Sequence, residues 1–117
     1  MSARLLTFSE ASALAHAIAK DFGLTLTIKP ADRDWIPTAI ASLEADGGVT
    51  LHIPSRVRLD SIIFEATVYV ESLPPKYQHW RRTANGRLRS EITIRRQCQK
   101  RARELAIGLG LARGRQS

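Results

Sequence analysis

The amino-acid sequence predicts one domain of the α+β class: an N-terminal helix, a small three-stranded antiparallel sheet, and two further helices, the last of them basic and amphipathic. Three observations lead to this prediction. The chain has 117 residues, 44% of them hydrophobic, which is typical of a single globular core. Apolar residues recur at helical spacing near the N-terminus. In the next segment they alternate with polar residues, as in a half-buried strand.

The first helix has sequence signals at both ends. Thr7 and Glu10 have the spacing of a capping box, in which each side chain accepts a hydrogen bond from the other residue's backbone N–H. Gly23 suits the left-handed conformation that ends many helices. Between these ends, the apolar positions with helical spacing are Ala11, Leu14, Ala15, Ile18 and Phe22. The pattern predicts a helix over residues 8–22.

Three strands are predicted after this helix. Apolar and polar residues alternate strictly over residues 24–29, and Pro30 follows. Residues 38–44 and 49–53 flank the sequence Ala-Asp-Gly-Gly, whose glycines supply the positive φ angles of a hairpin turn. We expect the three strands to form an antiparallel sheet.

The segment IIFEATVYVE, residues 62–71, fits two patterns. As a strand, it would place on one face Ile62, Phe64, Ala66, Val68 and Val70. As a helix, it would have Asp60 as N-cap, a stop at Pro74 and Pro75, and an apolar stripe formed by Ile62, Ile63, Ala66, Tyr69, Val70 and Leu73. A length of 14 residues over the range 60–73 favours the helix.

The last predicted element is an amphipathic basic helix within residues 87–109. Its apolar stripe consists of Ile94, Cys98, Ala102, Leu105 and Leu109. The start is ambiguous, because Leu88, Ile92 and Ile94 also alternate and could form a short strand after an Asn85-Gly86 turn. Residues 110–117 are expected to be a frayed basic tail of a single domain that spans residues 1–117.

The charge of the chain is concentrated in its C-terminal half. Residues 1–60 contain six Lys/Arg and seven Asp/Glu, whereas residues 61–117 contain twelve Lys/Arg and four Glu. Most of the C-terminal cations are arginines, whose planar guanidinium matches phosphate geometry. DNA or RNA is therefore the expected partner, with an acidic protein surface as the alternative.

The candidate nucleic-acid-binding residues lie between positions 77 and 103. Aromatic rings beside arginines can stack bases while cations hold phosphates. The segment Tyr-Gln-His-Trp-Arg-Arg at positions 77–82 has this composition, and the following helix extends the positive surface. The complete predicted set is Tyr77, Trp80, Arg81, Arg82, Arg87, Arg89, Arg95, Arg96, Lys100 and Arg103.

Composition and motifs argue against several other classes. The apolar runs are too short for a membrane span or a signal peptide. The single cysteine, Cys98, rules out an internal disulfide framework and fits a reducing cytoplasm, and its place on an apolar stripe indicates a buried residue. The chain contains no phosphate-binding glycine loop, dinucleotide fingerprint or nucleophile elbow. We therefore expect a non-enzymatic accessory or regulatory protein with no metal or other cofactor.

The element order up to residue 82 resembles the minimal scaffold of the gluzincin zinc metallopeptidases, in which a strand-rich layer precedes a helix with the H-E-x-x-H motif. The resemblance places Glu65 at the general-base position, Phe64 and Val68 at the two histidine positions, and His79 at a downstream ligand position. Zinc catalysis needs about three protein ligands and an open water position. The resemblance therefore implies an inactive peptidase-like protein that binds or inhibits a protein partner, of a kind that mobile elements encode.

Overall fold

The computed structural model describes residues 4–70 and 73–113 and has an α+β fold. The elements, in chain order, are β1 Leu5–Thr7, α1 Phe8–Phe22, β2 Leu26–Pro30, β3 Ile40–Leu43, β4 Val49–Ile53, β5 Arg56–Arg58, α2 Leu59–Thr67, a 3₁₀ helix Pro75–Arg81 and α3 Glu91–Gly108. The predicted fold class is confirmed.

Helix α1 has the bounds that the sequence predicts. The Glu10 backbone N–H donates to Thr7 Oγ1 at 3.2 Å, and the Thr7 N–H donates to Glu10 Oε1 at 3.0 Å, so the capping box is complete. At the other end Gly23 has φ +70°, which is the left-handed conformation. Because these signals are local, they are readable without knowledge of the tertiary structure.

The three-stranded sheet is mixed, so the prediction that it is antiparallel was wrong for one of its two strand pairs. Strands β3 and β4 are antiparallel, as the turn glycines predict. Strand β4 then lies between β2 and β3 and runs parallel to β2, with Leu26 opposite Val49 and Ile28 opposite Leu51. In this central position β4 is the most buried of the three strands. Alternation along a strand predicts which face is buried, but neither strand order nor strand direction.

A second, two-stranded sheet pairs β1 with β5 and was not predicted. Leu6 lies opposite Val57, and both side chains are buried. Each strand has three residues, which is too short for a periodicity in the sequence. This sheet joins the N-terminus to the segment that leads directly into α2.

The segment that fitted both a strand and a helix is helical from Leu59 to Thr67, with Ile62, Ile63 and Ala66 buried. The helix is shorter than the predicted 60–73. The chain after it is rich in β-branched residues, which form helices poorly. In addition, the Arg95 guanidinium of α3 donates to the carbonyl of Val68 at 3.0 Å and satisfies the helix terminus. The end of the predicted range includes residues 71–72, which lie outside the described residues.

The segment before α3 combines both interpretations of its sequence. Gly86 has φ +82°, and an isolated antiparallel bridge joins Arg82 to Leu88, so a small hairpin is present. Ser90 then caps α3, since its hydroxyl accepts a hydrogen bond from the Thr93 N–H.

The expected frayed tail does not begin at residue 110. Gly110 has φ +76°, and the Leu111 N–H donates to the Ala106 carbonyl at 2.9 Å, which is the Schellman arrangement of a helix end. Leu111 is 7% exposed and belongs to the core. The chain is therefore ordered through this turn, and residues 114–117 lie outside the described residues.

Helix α1 is the centre of the packing. It contacts α2, α3 and the three-stranded sheet, and its fully buried residues include Leu14, Ala15 and Ile18. Because α2 and α3 both pack on α1, they also lie beside each other. A groove opens between their outer faces.

A carboxylate on α1 ties the 3₁₀ helix and α3 to this centre. Asp21, whose side chain is 10% exposed, accepts hydrogen bonds from Lys76 at 2.9 Å, from the Tyr77 hydroxyl at 2.6 Å, and from two nitrogens of Arg101 at 3.2 Å each. Burial opposes ionisation of this carboxyl, but the donors outweigh it and lower its pKa to about 2. We call these four residues the Asp21 cluster.

Candidate nucleic-acid interface

A groove of about 720 Å³ lies between α2 and α3. Helix α3 contributes four side chains: Arg96, Gln99, Lys100 and Arg103. The other side of the groove is formed by Thr38, Arg58, Asp60, Ser61, Ile63 and Phe64. Of the ten side chains that line the groove, four are cationic and one is acidic. We call this feature the cationic groove.

Three cations of the groove form one stripe on α3. Arg96, Lys100 and Arg103 have the i, i+4, i+7 spacing that places residues on one face of a helix. All three are exposed, whereas Cys98, Ala102 and Ala106 on the opposite face are buried against the core. The amphipathic pattern of α3 therefore fixes which arginines point into the groove.

Arg58, the fourth cation, comes from a distant part of the chain. It is the last residue of β5 and the N-cap of α2, and its backbone N–H donates to the Pro37 carbonyl at 3.0 Å. Arg58 is not among the predicted residues, because residues 1–60 carry more acidic than basic residues and no motif surrounds it. The pairing of β5 with β1 is what brings it to the groove.

The four cations of the groove have no counterion within the described residues. None of them forms an ion pair or a side-chain hydrogen bond there, and none lies within 4.0 Å of the Asp60 carboxylate. By contrast, the guanidinium of Arg101 is engaged by Asp21 and that of Arg95 by Val68. Like charges gathered without a counterion raise the free energy of the free protein, and a bound anion lowers it again.

The structure separates the other predicted arginines from the groove. Arg82 donates to the carbonyl of Gly86 at 2.7 Å within the small hairpin. Arg81 and Arg95 line a second cavity, of about 410 Å³, with Val70, Glu91 and Ile94. Arg87 and Arg89 lie in the segment just before α3 and do not line the cationic groove. Of the eight predicted cations, Arg96, Lys100 and Arg103 come together.

The predicted stacking residues, Tyr77 and Trp80, are packing residues in the structure. Their rings stack on each other at 4.1 Å, and both contact Phe22 of the core. The Tyr77 hydroxyl donates to Asp21, and burial together with this hydrogen bond raises the pKa of Tyr77. One face of each ring is thus covered and the tyrosine hydroxyl is bonded, so these rings are less available to a ligand than exposed ones, and their role in stacking stays a prediction.

The side chains of α2 that face the sheet cover the edge of β3. Ser61 Oγ accepts a hydrogen bond from the Ala39 N–H at 2.9 Å. The carboxylate of Glu65, one helical turn later, lies close enough to the Ala41 N–H for this donor to lower its pKa. Burial raises the pKa of Glu65, and the hydrogen bond from Ala41 offsets part of this rise. The general-base position of the peptidase resemblance thus holds a carboxylate that satisfies a strand edge.

We expect Glu65→Ala to destabilise the fold by about 1 kcal/mol, because the Ala41 N–H loses its acceptor. Glu65→Gln is the matched control. The glutamine amide oxygen can still accept a hydrogen bond from the Ala41 N–H, and the amide carries no charge.

The pKa shift predicts the stability of this control. A carboxyl whose pKa is raised in the folded protein stabilises the fold at low pH, and this contribution is lost as the pH rises through the folded pKa. The glutamine variant should therefore be at least as stable as wild type at pH 7. Urea unfolding at pH 7 tests this order, and a glutamine variant as unstable as the alanine variant would contradict it.

Two further observations concern cysteine and metal chemistry. Cys98 is 1% exposed, and burial raises the pKa of its thiol to about 11 despite the nearby Arg95, so it is a buried apolar residue, as predicted. Within residues 4–70 and 73–113, no three His, Cys, Asp or Glu side chains are grouped so that they could hold a metal ion.

No helix in the described part of the chain has the length and apolar character needed to cross a membrane. Comparison with protein-family models, with curated proteins and with solved structures found no match for this chain. The resemblance to gluzincin peptidases therefore stays a prediction. The geometry of the cationic groove carries the functional argument.

Proposed function

We propose that this protein binds nucleic acid through the cationic groove, as an accessory or regulatory protein that catalyses no reaction itself. One observation carries the proposal: four cations from two distant segments of the chain line one groove and have no counterion within the described residues. Their positive charge is complementary to a phosphate backbone.

The type of cation supports phosphate as the ligand group. Three of the four are arginines, which present a fork of N–H donors to two phosphate oxygens at once. The stripe from Arg96 to Arg103 extends about 10 Å along α3, at 1.5 Å per residue. Charges recur about every 3.4 Å along each strand of B-DNA, so the stripe is long enough to meet more than one phosphate.

The test is a salt titration of the complete protein with fluorescently labelled DNA and RNA, each as a single strand and as a duplex. Four phosphate contacts predict that affinity falls about 50- to 150-fold between about 50 and 200 mM salt. Binding at low salt with this dependence would support the proposal, and the four probes would show which nucleic acid is preferred. Absence of binding to all four probes at low salt would refute it.

An acidic protein surface is the alternative partner for the same charges. It would also bind more weakly as salt rises, but it would leave the nucleic-acid titration without signal. We place the protein in the cytoplasm, since its one cysteine is a free, buried thiol, which fits a reducing compartment.

A further inference from the structure

The two walls of the cationic groove differ in chemistry. The α3 wall carries the stripe of Arg96, Lys100 and Arg103. The α2 wall carries Phe64 and Asp60, which are four residues apart and therefore neighbours on one helix face. One wall is thus suited to phosphate, and the other presents an aromatic ring and a hydrogen-bond acceptor.

Phe64 is available to a ligand in a way that Tyr77 and Trp80 are not. Its side chain is 49% exposed, although it borders a groove between two packed helices. Within the described residues its ring has no aromatic or cation–π contact. An exposed aromatic ring beside a row of phosphate-binding cations is the arrangement that single-strand-binding proteins use to stack a base.

We propose that the cationic groove takes one strand of single-stranded nucleic acid, with its phosphates on the α3 stripe and a base stacked on Phe64. This inference rests on the proposed function and specifies its ligand. The base faces of a duplex are already covered by neighbouring base pairs, and a ring can reach them only by unstacking a step, so the ring of Phe64 stacks most favourably on an unpaired base.

The shape of the site also favours a single strand. Proteins that read duplex DNA commonly insert a helix into the major groove, which is about 12 Å wide. Here the basic stripe of α3 lines a groove that α2 borders on its other side, so a nucleic-acid strand bound to the stripe also meets α2. A volume of about 720 Å³ is within the range of ligand pockets, and it suits a short stretch of one strand.

Asp60 determines whether the bases or the phosphates of the bound nucleic-acid strand lie toward α2. A carboxylate repels phosphate, but it accepts hydrogen bonds from the amino groups of base edges, as acidic side chains do with cytosine N4. Asp60 is exposed in the groove, one turn before Phe64. The bases therefore lie toward α2, and a cytosine strand should bind more tightly than a thymine strand.

The experiment measures binding of labelled single-stranded oligo(dC) and oligo(dT), and of a duplex, to the complete protein by fluorescence anisotropy. Phe64→Leu keeps an apolar side chain but removes the aromatic face, and we expect it to weaken single-strand binding about 5- to 150-fold. Phe64→Trp restores a stacking face and should bind at least as well as wild type. Trp35→Leu is the control, because Trp35 is 79% exposed but does not line the groove, and it should bind as wild type does.

Three outcomes would overturn the inference while leaving the proposed function in place: a duplex that binds as tightly as either single strand, Phe64→Leu that binds as wild type does, or oligo(dT) that binds more tightly than oligo(dC). If none of these probes binds and the RNA probes of the salt titration do not bind either, the proposed function itself fails. Thermal unfolding of each variant separates loss of binding from loss of fold. We expect it to match wild type, because Phe64 is half-exposed and lies outside the core and Trp35 is largely exposed.

Discussion

Replacement of Arg96, Lys100 and Arg103 with glutamate is expected to weaken nucleic-acid binding at least about 100-fold at low salt. The three substitutions remove three of the proposed phosphate contacts and place three negative charges along the same wall of the groove. All three positions are exposed on α3, and glutamate is a good helix former, so the fold should persist. Fluorescence anisotropy gives the affinity, and circular dichroism confirms the helix content.

A matched control separates the groove from net charge. Each substitution changes the charge by −2, so three of them lower the net charge of the chain from +7 to +1. Lys29→Glu, Arg33→Glu and Arg87→Glu together make the same change at three exposed positions outside the groove. This control should lose far less affinity. Equal losses in the two triple variants would show that diffuse charge, rather than the groove, drives binding.

Asp21→Asn is expected to destabilise the fold by about 2 kcal/mol at pH 7, which corresponds to a fall of about 10 °C in Tm. The neutral amide removes the carboxylate that pairs with Lys76 and leaves Arg101 with only its exposed partner Glu104. Asp21 is also where α1, the 3₁₀ helix and α3 are joined. Breaking a partly buried pair by removal of one partner leaves the other partner's charge uncompensated. Chemical unfolding at pH 7 measures the loss.

The pH dependence of this loss identifies its cause. The pKa of Asp21 is lowered to about 2 in the folded protein, so its ionised form contributes stability above about pH 4, and this contribution disappears as the pH falls toward 2. The difference between wild type and Asp21→Asn should therefore shrink as the pH is lowered from 4 to 3. Asp32→Asn, at an exposed position outside the cluster, should match wild type throughout. A difference for Asp21→Asn that stays constant with pH would point to packing rather than to charge.

The elements predictable from the sequence are those whose signals are local. The capping box and Gly23 define α1, and the apolar stripe defines most of α3, because each depends on residues a few positions apart. The central position of β4 and its parallel alignment with β2 depend instead on competition among strands for the core. The alternation of residues 24–29 indicates neither which strand takes the central position nor in which direction β2 runs relative to it.

The candidate site divides in the same way. The α3 stripe is predictable, since helical spacing alone separates Arg96, Lys100 and Arg103 from the buried face. Arg58 is not predictable, because it reaches the groove through the pairing of β1 with β5. The packing of the predicted aromatic residues was not predictable either. Tyr77 and Trp80 next to arginines have the composition of a stacking site, but composition does not reveal that both rings pack on Phe22 and that Tyr77 is bonded to Asp21.

The three faces of the short helix α2 have different roles, and these roles limit which substitutions the helix can accept. Ile62 and Ala66 fill the core, Ser61 and Glu65 cover the edge of β3, and Asp60 and Phe64 face the groove. Substitutions on the first two faces cost stability or leave a strand edge open to other chains. Substitutions at positions 60 and 64 are therefore expected to affect the stability of the fold least. They are also the positions of α2 at which evolution could change the ligand preference of the groove.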